Sequence, residues 1–204
     1  MDKDIKEKMI LVCQSLTKML DLAFEGFGRP TGESFKEAQG VRNKIHRDNT
    51  ELTDFIISKS PSSEKEREWV KPYLSIVSSF DRMMYNIEGI LDQLSAKYRN
   101  HILFSDQAVK EVNDVFQEAM RLLGNLPDLM TSEDKILAQR MGEGGRSMFK
   151  IVNGYSEVHE ERLIQGICVP KHSPIYLGIL ESLKGVMVQI LEVGGKIVSL
   201  SSKS

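Results

Sequence analysis

Residues 5–23 read IKEKMILVCQSLTKMLDLA. Ile5, Met9, Val12, Leu16, Met19, Leu20 and Ala23 recur at spacings of three and four, with Lys18 and Asp21 falling between them. Such spacing gathers apolar side chains on one face of an α-helix, and no alternation of period two competes with it. Gly26, Gly28 and Pro30 then stop the helix and turn the chain.

The same rhythm runs outward from this stretch. A second helix is expected from about Thr31, with Phe35, Ala38, Val41, Ile45, Leu52 and Ile56 as its stripe and a polar gap near Asp48. It ends in the segment Ser58 to Ser62. Ser63 and Glu66 have capping-box spacing for a third helix, which carries Trp69, Tyr73, Ile76, Phe80, Met83, Ile87, Leu94 and Tyr98. Pro72 is expected to kink or restart it, because proline lacks the amide and crowds the preceding turn.

The pattern then repeats. Ser105 caps a helix with Val109, Val112, Val115, Phe116, Ala119 and Leu122. Gly124, Asn125 and Pro127 break it, and Thr131 and Asp134 suggest a new cap. The next helix runs to about Gln165, with Ile136, Met141, Met148, Val152, Tyr155, Val158 and Leu163 as its stripe. The run Gly142-Glu143-Gly144-Gly145-Arg146 predicts a bent or frayed first half, or a close helix–helix approach. It lacks the spacing and the preceding strand of a phosphate loop. Pro174 opens a last helix at its first turn.

The chain is therefore expected to be all-α, with two tandem antiparallel three-helix bundles over residues 1–102 and 103–204. Its 204 residues are 41% hydrophobic and 27% charged, which suits a globular chain. The net charge of −2, without a dense basic stripe, argues against nucleic acid as a partner. Cys13 and Cys168 form neither a CxxC pair nor a disulfide framework, which fits a reducing compartment. Residues 1–9 lack the apolar region of a signal peptide. The apolar stretch from Ile175 to Leu200 is interrupted by Glu181, Lys184, Glu192 and Lys196, so it reads as a core helix and not a transmembrane span.

Two segments carry a family resemblance. His159-Glu160-Glu161-Arg162-Leu163-Ile164-Gln165-Gly166, then a short loop and Tyr176-Leu177-Gly178-Ile179-Leu180-Glu181-Ser182-Leu183, resemble the second repeat of PhoU-like proteins. They are also similar to PhoU-like regions attached to sodium/phosphate cotransporters. Tyr73 to Arg82 resembles the equivalent helix of the first repeat. The resemblance implies two three-helix bundles in tandem.

It also implies an acidic pair four residues apart on the third helix of each repeat, where both carboxylates reach a cation. This chain departs from that pattern. Asp81 keeps the first acid of repeat one, but Tyr85 replaces the second. Repeat two has Lys184 and Val188 at the matching positions. If the second helix faces Asp81, as the resemblance implies, then His46, Asp48 and Asp81 would be a residual metal site. One imidazole and two carboxylates suit iron or zinc. The alternative is a solvated helix surface.

His159 and Arg162, three apart, share a helix face and are candidates for contact with phosphate or an acidic partner; a local ion pair is the alternative. The cluster of Glu157, His159, Glu160 and Glu161 has one histidine only and cannot be an HExxH zinc motif. No Ser/His/Asp or Cys/His arrangement is visible, so no enzyme activity is expected.

What the resemblance implies is a cytoplasmic regulator or accessory module of phosphate transport, peripheral to the membrane. It would dock a helix face onto a membrane phosphate transporter subunit or a signalling kinase. A metal-binding helical protein and a generic scaffold that forms a homodimer are the other readings.

Overall fold

The structure is a computed structural model that describes residues 2–29, 32–59 and 69–201. The turn residues Pro30 and Thr31, the segment Ser60 to Ser62 and the capping-box pair Ser63 and Glu66 lie outside the described residues. Among the described residues there are six long α-helices and one short α-helix. These are α1 (Lys3–Gly28), α2 (Gly32–Ser58), α3 (Val70–Arg99), α4 (Asp106–Gly124), α5 (Leu126–Ser132), α6 (Lys135–Ile164) and α7 (Ser173–Ser201).

The apolar stripe of α1 is buried throughout, from Ile5 to Ala23. Asp2 caps this helix, its carboxylate accepting from the Ile5 amide at 3.1 Å. Ser105 caps α4 and Asp134 caps α6 in the same manner, as their positions predict. Thr131 is not a cap. Its hydroxyl donates to the Pro127 carbonyl inside α5, a helix the sequence reading takes for a break. Pro127 sits in the first turn of α5, where a missing amide costs nothing. Pro72 sits in the first turn of α3, which begins at Val70, so it marks the start of this helix and does not kink its interior.

The first three helices pack on one another, and α4, α6 and α7 do the same in the second half. α3 and α7 form the most extensive helix–helix contact of the molecule and join the two halves through one continuous core. By length and composition α7 would reach across a membrane, but here half of its most apolar window is buried against its neighbours.

One face of the α3–α7 seam is polar and fixes its register. The Ser79 hydroxyl donates to Glu192 at 3.4 Å, and Arg82 Nε donates to Gln189 at 2.7 Å. Further along, Asn86 covers Gly185, Gly89 faces Ser182, and Gln93 covers Gly178. Steps of three, four, three and four up α3 are matched by the same steps down α7. The helices are therefore antiparallel. A side chain at Gly178 or Gly185 would collide with Gln93 or Asn86, so these glycines let the helices close.

α6 is the outlier. It is one continuous helix through its glycine run, neither broken nor frayed. A Cβ on Gly145 would stand 2.7 Å from Leu191 of α7, and one on Gly144 would meet Glu118 and Arg121 of α4. Close approach is thus the role of this run. The buried positions of α6 are Met141, Gly145, Val152 and His159, while the expected stripe members Ile136 and Val158 are exposed. On α4, Val109 is likewise exposed and Ala108 takes the inward position.

Candidate functional site

The chemically richest place lies where the start of α4, the end of α6 and the start of α7 meet. Glu111 belongs to the inward face of α4, in phase with Ala108 and Val115, and is 1% exposed. A carboxylate so placed needs compensation. Arg162 of α6 supplies it with a two-pronged pair, Nη1 to Oε1 at 3.0 Å and Nη2 to Oε2 at 2.9 Å. The Tyr176 hydroxyl of α7 donates to Oε2 at 2.5 Å, and Gln107 donates to Oε1 at 3.1 Å. Burial pushes the Glu111 carboxyl up, but these donors outweigh it and hold it below the usual value, so it stays ionised. Burial and the Glu111 bond push the Tyr176 phenol up, so it stays protonated.

His159 stands one turn before Arg162, 5% exposed, its ring 4.6 Å from that of Tyr176. Its Nε2 shares a hydrogen bond with the Ser173 hydroxyl at 2.9 Å, and its Nδ1 is buried with no partner. Burial, then the Arg162 charge, lowers its pKa, so the ring is neutral near pH 7.

The loop that follows is set by the end of α6. The Ile167 amide bonds back to the Arg162 carbonyl at 2.9 Å, with Gly166 at φ 71 between them. α3 ends in the same way, the Ile102 amide returning to Lys97 with His101 at φ 50. Both closures have Schellman geometry, which favours glycine at the left-handed position.

The candidate contact pair His159 and Arg162 therefore does not form an outward surface. Both residues face inward, and the anion that Arg162 holds is the chain's own Glu111. Charge density on the helix could not reveal this; the signal that could have was a glutamate in the apolar phase of α4.

The three candidate metal residues are not brought together. Asn49 takes the inward position of α2 and donates to the Val77 carbonyl of α3 at 3.0 Å. That phase leaves His46 exposed and directs Asp48 to Lys44, at 2.6 Å, and Arg47. Asp81 is half-buried. Among the described residues, no three His, Cys, Asp or Glu side chains are grouped to hold a metal ion. Tyr85 and Val188 are both exposed, and Lys184 donates to Asn153 of α6 at 3.0 Å. Tyr85, Lys184 and Val188 thus serve the surface or tie α7 to α6, and the donor set does not fit a metal cluster.

Fold and site together define an all-α protein of two joined helical bundles whose buried charges serve its architecture. Its fold is that of PhoU. The structure is similar to the phosphate transport system regulatory protein PhoU from Streptococcus pneumoniae, with a TM-score of 0.83 over 98% of this chain and 95% of that one, at 13% identity. PhoU from Pseudomonas aeruginosa gives a TM-score of 0.83 over 99% and 97% of the two chains, at 10% identity. A PhoU-like protein from Shewanella oneidensis matches at 0.61 over 98% and 100%, also at 10% identity. No family model and no curated protein matches the sequence.

Proposed function

We propose that this chain is a non-enzymatic regulator or accessory module of phosphate transport. The observation that carries the reading is the match to the S. pneumoniae PhoU along nearly the whole of both chains. In this reading it works in the cytoplasm, beside the membrane, by docking a helix face onto a transporter subunit or a signalling kinase. The outer helices α2 and α6 supply suitable faces. Each buries few of its residues and turns the remainder, rich in Lys, Arg and Glu, to the surface. The polar α3–α7 seam joins the two halves behind those faces, and the Glu111–Arg162 pair ties α4 to α6 within the second.

The test is removal of the gene from its host, followed by uptake of labelled phosphate in replete and limiting medium. Uptake that no longer responds to supply, restored by the intact chain, is the expected result. Unchanged uptake under both conditions would overturn the proposal.

A further inference from the structure

A cleft of about 330 Å³ opens between the first half of α6 and the last half of α7. Asn153 of α6 meets Lys184 of α7, and Gly145 lies against Leu191, so these two helices run antiparallel. The same steps bring Gly142 toward Gly195 and Ala138 toward Val198, and these four line the cleft together with Leu191. Ala138, Gly142, Leu191 and Val198 are half-buried and Gly195 is exposed, so each keeps surface to offer a guest. Among the described residues the apolar lining carries no aromatic ring.

The charges that line the cleft are of one sign. Lys135 and Arg146 both border it, about 16 Å and three turns apart along one side of α6. Helical side chains lean toward the helix N-terminus. Arg146 does so here, and its guanidinium lies over Gly142, where an added Cβ would stand 3.2 Å from Nη1. Among the described residues no carboxylate pairs with either cation. Glu143 is the one acid of α6 between them, and its carboxylate accepts from Gln139 at 2.9 Å. Glu192 is the one acid on the facing stretch of α7, and it is held by Arg82 of α3 and by Lys196.

We infer that this cleft is a binding site for a single aliphatic chain with a carboxylate head, of the kind a medium-chain fatty acid presents, with Arg146 as the partner of the head. A guanidinium offers a planar fork that matches a carboxylate. The tail then runs past Gly142 and Ala138 toward Lys135, against Leu191 and Val198, and covers apolar surface that water would otherwise wet. Size restricts the guest further. Ligand pockets span about 300–1,000 Å³, so this cleft stands at the small end and takes one chain, not a two-chain lipid. The aliphatic lining gives an aromatic guest no ring to stack on, and a cationic amphiphile would bring like charges together at Arg146. The site is independent of any role in phosphate transport, and its test does not involve phosphate.

The experiment is NMR titration of the full chain, labelled at alanine, leucine and valine methyl groups, with decanoate, hexanoate and decylamine. Saturable shifts of the Ala138, Leu191 and Val198 methyls are expected with decanoate. Each fully buried methylene is worth about fourfold, so hexanoate should bind at least about tenfold more weakly even in a cleft open on one side. Decylamine has decanoate's tail with the opposite charge and should bind about threefold more weakly or worse. Arg146→Gln removes the charge and should weaken decanoate by about threefold. A Cβ on Gly195 would meet nothing within 4 Å, so Gly195→Leu fills the cleft without collision, and helix propensity favours the change. It should weaken decanoate by about tenfold or more, as should Ala138→Leu from the α6 side; circular dichroism checks that each variant is folded. Absence of saturable shifts with decanoate, decylamine or hexanoate binding as tightly, or wild-type decanoate affinity in any of these folded variants would overturn the assignment. Cosedimentation with phosphatidylglycerol vesicles that Gly195→Leu abolishes would give the cleft to a lipid surface and overturn it as well.

Discussion

Arg162 on α6 grips both carboxylate oxygens of Glu111 on α4, the two contacts measuring 3.0 and 2.9 Å. The pair bridges 51 residues of sequence and sits where the loop after α6 departs. With Tyr176 donating to the same carboxylate, it joins three helices at one end of the second bundle. Removing one member strands the other. Arg162→Met or Glu111→Leu alone should each cost about 3–5 kcal/mol in urea unfolding. The double change Glu111→Leu with Arg162→Met should cost less than either, since it buries no unpaired charge. Additive losses in that cycle would show that the two residues act independently.

The titration of this region carries a definite sign. His159 is held below its ordinary pKa of 6.5, so the unfolded ring takes a proton before the folded one does. Stability is therefore complete above 6.5 and drains as pH falls through that value toward the folded pKa. Glu111 is also held below its ordinary value of 4.5, which adds a second loss beginning at lower pH. Unfolding free energies between pH 8 and 3 should show both declines. His159→Gln should abolish the upper one and leave the lower. A profile in which this variant follows the wild type between pH 7 and 5 would remove His159 from the account.

Much of this architecture is legible in the sequence. The stripe of α1 is buried residue for residue, and Ser105 and Asp134 cap the helices they precede. Those elements bury ordinary aliphatic faces, and spacing finds them. α6 defeats the same reasoning because its inward face holds Gly145 and His159 beside Met141 and Val152. A glycine that permits close approach and a histidine in a polar network both look hydrophilic to a hydropathy pattern. Glu111 was missed for a related reason: its burial depends on an arginine 51 positions away that no local pattern contains. The short α5 was hidden by Pro127, which punctuates a chain equally well as a break or as a first turn.

The glycines of α6 separate into two kinds. Gly145 faces Leu191 so closely that a Cβ would stand 2.7 Å from it. Gly145→Val should therefore cost about 1–3 kcal/mol through overpacking and a forced shift of α7. Gly154 has no neighbour within 4 Å of such a Cβ, and its helix is regular. Gly154→Ala should stabilise the protein by about 0.5–1 kcal/mol. Thermal unfolding of the two variants should move in opposite directions. A common direction would mean that helix propensity, and not packing on α7, sets the cost at position 145.

His101 closes α3 in the left-handed region, at φ 50, where the equivalent closure of α6 uses Gly166. A histidine there carries a Cβ penalty of about 1–2 kcal/mol that glycine avoids. The side chain is exposed, so removing it uncovers no core. His101→Gly should raise stability by about 0.5–1 kcal/mol, because glycine's greater freedom in the unfolded chain returns part of the gain. Gly166→Ala at the matching site should lower it. Paired urea curves would check both, and a destabilised His101→Gly would mean that the imidazole makes a stabilising contact of its own.

Metal dependence offers a test of the first bundle. His46, Asp48 and Asp81 are the donors a residual site would need, yet Asp48 is held by Lys44 at 2.6 Å and His46 points to the surface side of α2. To gather them, α2 would have to rotate about its axis. That rotation would withdraw Asn49 from the Val77 carbonyl and Ile45 and Leu52 from the core. Exposing two aliphatic side chains costs about 1.5–3 kcal/mol each, and a metal would have to offset this while displacing Lys44. Protein purified without chelators should therefore contain iron or zinc well below one equivalent. Its melting temperature should not respond to either ion, and Asp81→Ala should change neither result. A stoichiometric metal lost in Asp81→Ala would require α2 to adopt that rotated packing, with Asn49 released from α3.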